Sequence, residues 1–124
     1  MVQTLSLILR VLIGLGLLNV WLIRAGGSTD YRGGASQSLK EEFRTYGLPD
    51  VMFYVVGFLK VSAALVLLAG NWVPDLVLPA AATVVVLMLG ALAMHVKVKD
   101  PVKKSVPAAF MLALNATVVA LQLT

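Results

Sequence analysis

Of the chain's 124 residues, 60% are hydrophobic and 13% charged, where soluble domains carry about 25% charged residues. A chain of this length has too little interior to hide so much apolar surface from water, which excludes a soluble globular domain and leaves lipid as the fitting solvent. The net charge of +4 does not point to nucleic acid, because the basic residues fall in two inter-helical loops and no binding motif accompanies them.

The length allows one domain, residues 1–124. There is no cysteine, so thiol–disulfide catalysis and thiolate metal sites are excluded for this chain.

The first apolar run is Leu5–Ile23. A cleaved signal peptide is the competing reading, but no basic segment precedes the run, Arg10 interrupts it, and Arg24-Ala25-Gly26-Gly27 is a poor cleavage site. Residues 24–50 form the one long loop, opening with Gly26-Gly27-Ser28 and Gly33-Gly34. Within it, Ser38 is a candidate cap for a short helix, with Glu41 at the capping-box position. Leu39, Phe43 and Tyr46 would share one face of that helix, lying on the membrane surface or closing over the bundle.

Val51–Ala69, Leu76–Met94 and Val106–Leu123 are the next three runs. Each is about the length that crosses the hydrocarbon as a helix, and helix is required because lipid offers the backbone no partners. Gly47-Leu48-Pro49-Asp50, Gly70 to Asp75 and Lys99-Asp100-Pro101 break the chain between them. Pro79 is expected in the first turn of its helix, and Pro107 at the start of the last one. The predicted architecture is all-α, an integral membrane four-helix bundle.

Orientation follows from the basic residues near the span ends. The first loop holds Arg24, Arg32, Lys40 and Arg44, and the third, residues 95–105, holds Lys97, Lys99, Lys103 and Lys104. Both are expected on the cytoplasmic side, with both termini outside. Trp21 and Trp72 suit the two interfacial belts.

Charge inside a membrane is costly and marks candidate sites. Arg10 and Lys60 are the cations inside the predicted spans, and no carboxylate joins them. Lys60 lies about 13 Å into its helix at 1.5 Å per residue, too deep to snorkel easily. Gly57, Ala63 and Ala64 flank it on one face and let another helix approach. Lys60 is thus expected in the interior, either tying helices together or as counter-ion to an anionic or carbonyl-bearing ligand.

Asn115 lies at a similar depth on a parallel helix and is a candidate partner of Lys60. The alanines at 109, 113, 116 and 120 form a separate stripe from Asn115 and Gln122, so the last helix is expected to contact neighbours on two sides. Arg10 and Asn19 point in opposite directions on the first helix, so one faces another subunit or Arg10 reaches the outer interface. His95, the chain's one histidine, suits a helix C-terminus. One histidine makes a poor metal site, although it could serve as a single axial ligand. The methionines at 88, 94 and 111 read as packing residues.

Gly47-Leu48-Pro49-Asp50 followed by the run from Gly57 to Gly70, and the run from Met88 to Pro101, resemble the DoxX-like family of small bacterial membrane proteins. The resemblance implies a four-helix bundle in the bacterial cytoplasmic (inner) membrane. It points to a redox setting through the thiosulfate:quinone oxidoreductase subunit that names the family, and brings no agreed catalytic motif.

The leading expectation is a non-catalytic membrane subunit or assembly partner of a larger redox complex, in contact with other membrane subunits. The alternative is a binder of a quinone or other small amphiphile at Lys60. A proton-coupled exporter would need an intramembrane carboxylate that the spans lack.

Overall fold

The computed structural model describes residues 2–23, 26–27, 33–34 and 38–123. Arg24, Ala25, Ser28 and Arg32, which carry the expectations about loop charge, cleavage and irregular chain, lie outside the described residues.

Every element among the described residues is helical. Helix α1 spans Val2–Leu18 and runs on into a π-helical turn, Asn19–Ile23. A short α2, Leu39–Thr45, precedes α3 at Asp50–Leu68, α4 at Pro74–Lys97 and α5 at Val102–Leu123. Four stretches are long and apolar enough to cross a membrane: Gln3–Ile23, Asp50–Leu68, Pro74–Lys97 and Val102–Leu123.

Helix ends differ from the sequence reading where prolines were taken as start signals. Pro74 takes the first turn of α4, so Pro79 falls in the second turn, where Thr83 Oγ1 donates to its carbonyl at 2.8 Å. Helix α5 starts a turn before Pro107, at Val102. A proline early in a helix forfeits only one backbone bond, and the packing of α5 along α4 outweighs that loss.

The four long helices close into a ring: α1 packs on α3, α3 on α4, α4 on α5, and α5 back on α1. Their shared core is built from Ile13 and Leu17, Ala63, Ala64 and Leu67, Val77, Ala81, Val84 and Met88, and Ala108 and Val118. Small residues set the spacing. A Cβ added at Gly14 would stand 2.6 Å from Leu68 Cγ and 3.1 Å from the Ala64 carbonyl. Glycine is therefore what lets α1 reach the backbone of α3.

The alanines at 109, 113, 116 and 120 are all exposed on α5, while Ala108, Asn115 and Val118 face the core. The two faces read from the sequence are thus separate, with Asn115 on the inner one.

Helix α2 closes over one end of the bundle. Ser38 accepts the Glu41 N–H at 3.1 Å, as expected of the cap. The helix ends in a Schellman turn: Leu48 N–H donates to the Phe43 carbonyl and Gly47 N–H to that of Arg44, with Gly47 at φ +81°. Its inward face is Leu39, Glu42, Phe43 and Tyr46.

Because a side chain at position 14 has no room beside α3, Gly14→Val should destabilise the bundle by about 1–3 kcal/mol. Thermal unfolding in detergent checks this. Gly90→Ala, where a Cβ meets nothing within 4 Å, is the control expected to unfold like the parent protein.

Candidate functional site

Trp21 continues the buried face of α1, four residues on from Leu17, and is 8% exposed, while Asn19 points outward. Trp21 is therefore packed inside the protein, whereas Trp72 is 80% exposed. The indole lies flat over Gly57 of α3, whose hypothetical Cβ would come within 2.7 Å of Trp21 Cζ3. Phe43 meets the indole edge-on at 6.0 Å between centroids, and Phe53 stacks obliquely at 5.3 Å.

Lys60, one turn deeper on α3, places its ammonium 5.4 Å from the centroid of the Trp21 ring. This cation–π contact suits a desolvated cation. Glu42 of α2 is buried, within electrostatic range of Lys60, and accepts the hydroxyl hydrogen bond of Tyr46. A carboxylate thus reaches the bundle interior from the loop, although none belongs to a span.

Tyr46 links this cluster to α4. Its ring meets that of His95 edge-on at 5.8 Å, and its carbonyl accepts from Lys97 Nζ at 2.8 Å. His95 is buried and its Nδ1 lies 2.7 Å from Asp100 Oδ2. Asp100 can reach back because α4 also ends in a Schellman turn. Asp100 N–H donates to the His95 carbonyl and Lys99 N–H to that of Val96, with Lys99 at φ +58° in the position usually given to glycine.

The other Asp100 oxygen accepts the Gly34 N–H at 2.9 Å, while Lys104 donates to the Gly34 carbonyl. Burial pushes the Asp100 carboxyl up. The hydrogen bonds from His95 and Gly34 and the charges of Lys104 and His95 outweigh that effect and hold it below the usual carboxylate range.

The structure thus gathers Lys60 and His95 at the loop end, linked through Glu42 and Tyr46. It does not join Lys60 to Asn115. The Asn115 amide donates to the Met111 carbonyl of its own helix at 2.8 Å, and its Oδ1, fully buried, accepts no hydrogen bond among the described residues.

Arg10 reaches to the α3–α4 turn. It is 5% exposed, with bonds to Ser6 Oγ at 3.3 Å, the Leu67 carbonyl at 3.5 Å and Asn71 Oδ1 at 3.1 Å. It is held at the opposite end, under the α3–α4 turn. Asn19 faces outward, so Arg10 is the inward member of that pair. Among the described residues no group of three or more His, Asp or Glu side chains could hold a metal ion.

Sequence reasoning missed Glu42, Trp21, Tyr46 and Asp100 as site residues. For Glu42 the signal was present: positions 39, 42, 43 and 46 are one helical face, and the acid lies on it.

The DoxX-like family model matches residues 13–118. The chain belongs to the DoxX-like family. The DoxX-like match takes in Trp21, Glu42, Tyr46, Lys60, His95, Asp100 and Asn115, and leaves Arg10 outside it. No curated protein and no solved structure matches the chain.

Asp100 predicts a pH dependence. A carboxyl whose folded-state pKa is depressed contributes stability above its unfolded value, about 3.9, and loses it as pH falls through the lower folded value. Asp100→Asn should therefore cost about 1–3 kcal/mol at pH 7 and at pH 5. The gap from the parent protein should shrink below about pH 4, as read by thermal unfolding across that range.

Proposed function

We propose that this small integral membrane protein binds the head group of a carbonyl-bearing amphiphile, of which a quinone is the type, at Lys60. The observation that carries this reading is the setting of the Lys60 ammonium. Its contact among the described residues is the face of Trp21, and Glu42 on a capping helix is close enough to act on it electrostatically.

An ammonium in hydrocarbon is strongly favoured to donate to any acceptor that arrives, and a carbonyl oxygen is such an acceptor. The flat faces of Trp21, Phe43 and Phe53 offer an aromatic head group stacking partners. In this reading Lys60 binds the carbonyl and Trp21 the ring, with α2 lying beside them. On the same reading that end faces the cytoplasm across a bacterial inner membrane, an orientation that the basic loops favour.

A second reading is favoured by the exposed alanine stripe on α5 at 109, 113, 116 and 120. Small residues on an outer face allow a helix of another protein to pack closely. They suit an accessory, non-catalytic subunit of a membrane redox complex, the setting that the family analogy implies. The two readings are compatible, since a subunit can hold an amphiphile for its complex.

Trp21 supplies the test. In a Trp72→Phe background, which leaves it as the one tryptophan, a short-chain quinone such as decylubiquinone should quench its fluorescence saturably. Lys60→Met should weaken half-saturation by about tenfold or more, the loss of a charge-assisted hydrogen bond. Lys103→Met, at an exposed position in the first turn of α5, should leave it unchanged. Quenching that is linear and indifferent to Lys60 rules the site out.

A further inference from the structure

At the end of the bundle opposite Lys60, a cavity of about 730 Å³ opens between the first turns of α1, the α3–α4 turn and the last turn of α5. Its lining is mixed. Gln3, Thr4, Ser6, Asn71 and Gln122 supply amides and hydroxyls, Leu7, Val77 and Leu121 supply apolar wall, and Arg10 stands among them.

Arg10 is 95% removed from solvent, yet the three acceptors that hold it are neutral: Ser6 Oγ, the Leu67 carbonyl and Asn71 Oδ1. None of the three is shorter than 3.1 Å. Charge-assisted bonds to an anion run at about 2.7–2.9 Å. Among the described residues no carboxylate forms an ion pair with Arg10. Asp75, in the first turn of α4, is exposed and pairs with nothing described.

The guanidinium is also held firmly in place. A Cβ at Gly70 would stand 1.9 Å from Arg10 Nη1, so the group lies directly on the backbone of the turn. Ser6 Oγ, bonded to Arg10, also accepts from Gln122 Nε2 at 3.4 Å, which ties α5 to the same side chain.

A buried cation without a counter-charge is costly, and this one lines an open cavity. We propose that the cavity is a binding site for an oxyanion, a phosphate or phosphate-like head group, with Arg10 as its counter-charge and the neutral donors around it completing the shell. The depth fits a head group carried on an apolar tail. The cavity is bounded by the α3–α4 turn, where Trp72 stands exposed as an interfacial aromatic would, and Leu7, Val77 and Leu121 give it an apolar wall. Arg10 lies outside the stretch matched by the family, while Gly70, Asn71, Pro74 and Val77 of the same lining fall within it, and the site is independent of Lys60.

The test is thermal unfolding of the full chain in a neutral maltoside detergent, titrated separately with dodecyl phosphate, with inorganic phosphate and with dodecanol. Dodecyl phosphate is expected to raise the unfolding temperature saturably, with dodecanol giving no such shift. Arg10→Gln should weaken half-saturation by about tenfold or more, and Lys60→Met should leave it unchanged.

An equal, Arg10-dependent shift by inorganic phosphate supports the site with a soluble anion as its source. If Arg10→Gln does not accumulate, Thr4→Trp, which fills the cavity mouth and leaves the Arg10 bonds in place, should abolish the shift. A shift that survives both substitutions, or no shift with either phosphate, overturns the proposal. Because Lys60 is not part of this site, that failure leaves the quinone reading standing, and loss of quenching at Trp21 leaves this one standing.

Discussion

Hydrocarbon offers neither water nor counter-ions, so every charge placed in it has to be answered by the protein or by a ligand. This chain carries two cations within its spans and answers them differently. Lys60 rests on the face of Trp21 within range of the Glu42 carboxylate. Arg10 is threaded under the α3–α4 turn among neutral acceptors. The two ends of the bundle are organised around these two solutions, and the small residues of the helices make both possible. Gly57 admits the indole to α3, Gly70 admits the guanidinium to the turn, and Gly14 brings α1 close enough for each side chain to reach.

The loop end is the more elaborate of the two. Two Schellman turns, after α2 and after α4, bring the loop carbonyls and the Asp100 carboxylate back onto the bundle. Lys97 and Lys104, which count as surface charge in a sequence, instead cap backbone carbonyls at Tyr46 and Gly34. Lys97 at the end of α4 and Lys104 at the start of α5 thus tie the preceding loop to the bundle beside the buried His95 and Glu42.

The chain's polar interior residues divide into satisfied and unsatisfied groups. Glu42, Tyr46, His95 and Asp100 form a connected set, whereas the Asn115 Oδ1, at the core of the bundle, stays without a partner among the described residues. An unmet acceptor at that depth carries a desolvation cost, which the closely packed α4–α5 pair around it sustains.

The sequence by itself determined the membrane setting, the four spans, the one-sided basic loops and the inward face of Gly57, Ala63 and Ala64. All of these follow from hydropathy run length and helical period, which are local properties of the chain. The cap at Ser38 and the opposite faces of Arg10 and Asn19 were legible for the same reason.

What decided the site was not local. Helix α2 brings Glu42 within electrostatic range of Lys60 on the helix that follows it, and Lys60 meets an indole 39 positions away in the chain (60 against 21) instead of Asn115. These pairings depend on how four helices of similar hydropathy rotate and settle against each other. That rotation is set by where glycine and alanine permit close approach, a property of pairs of helices in three dimensions that no single stretch of residues contains.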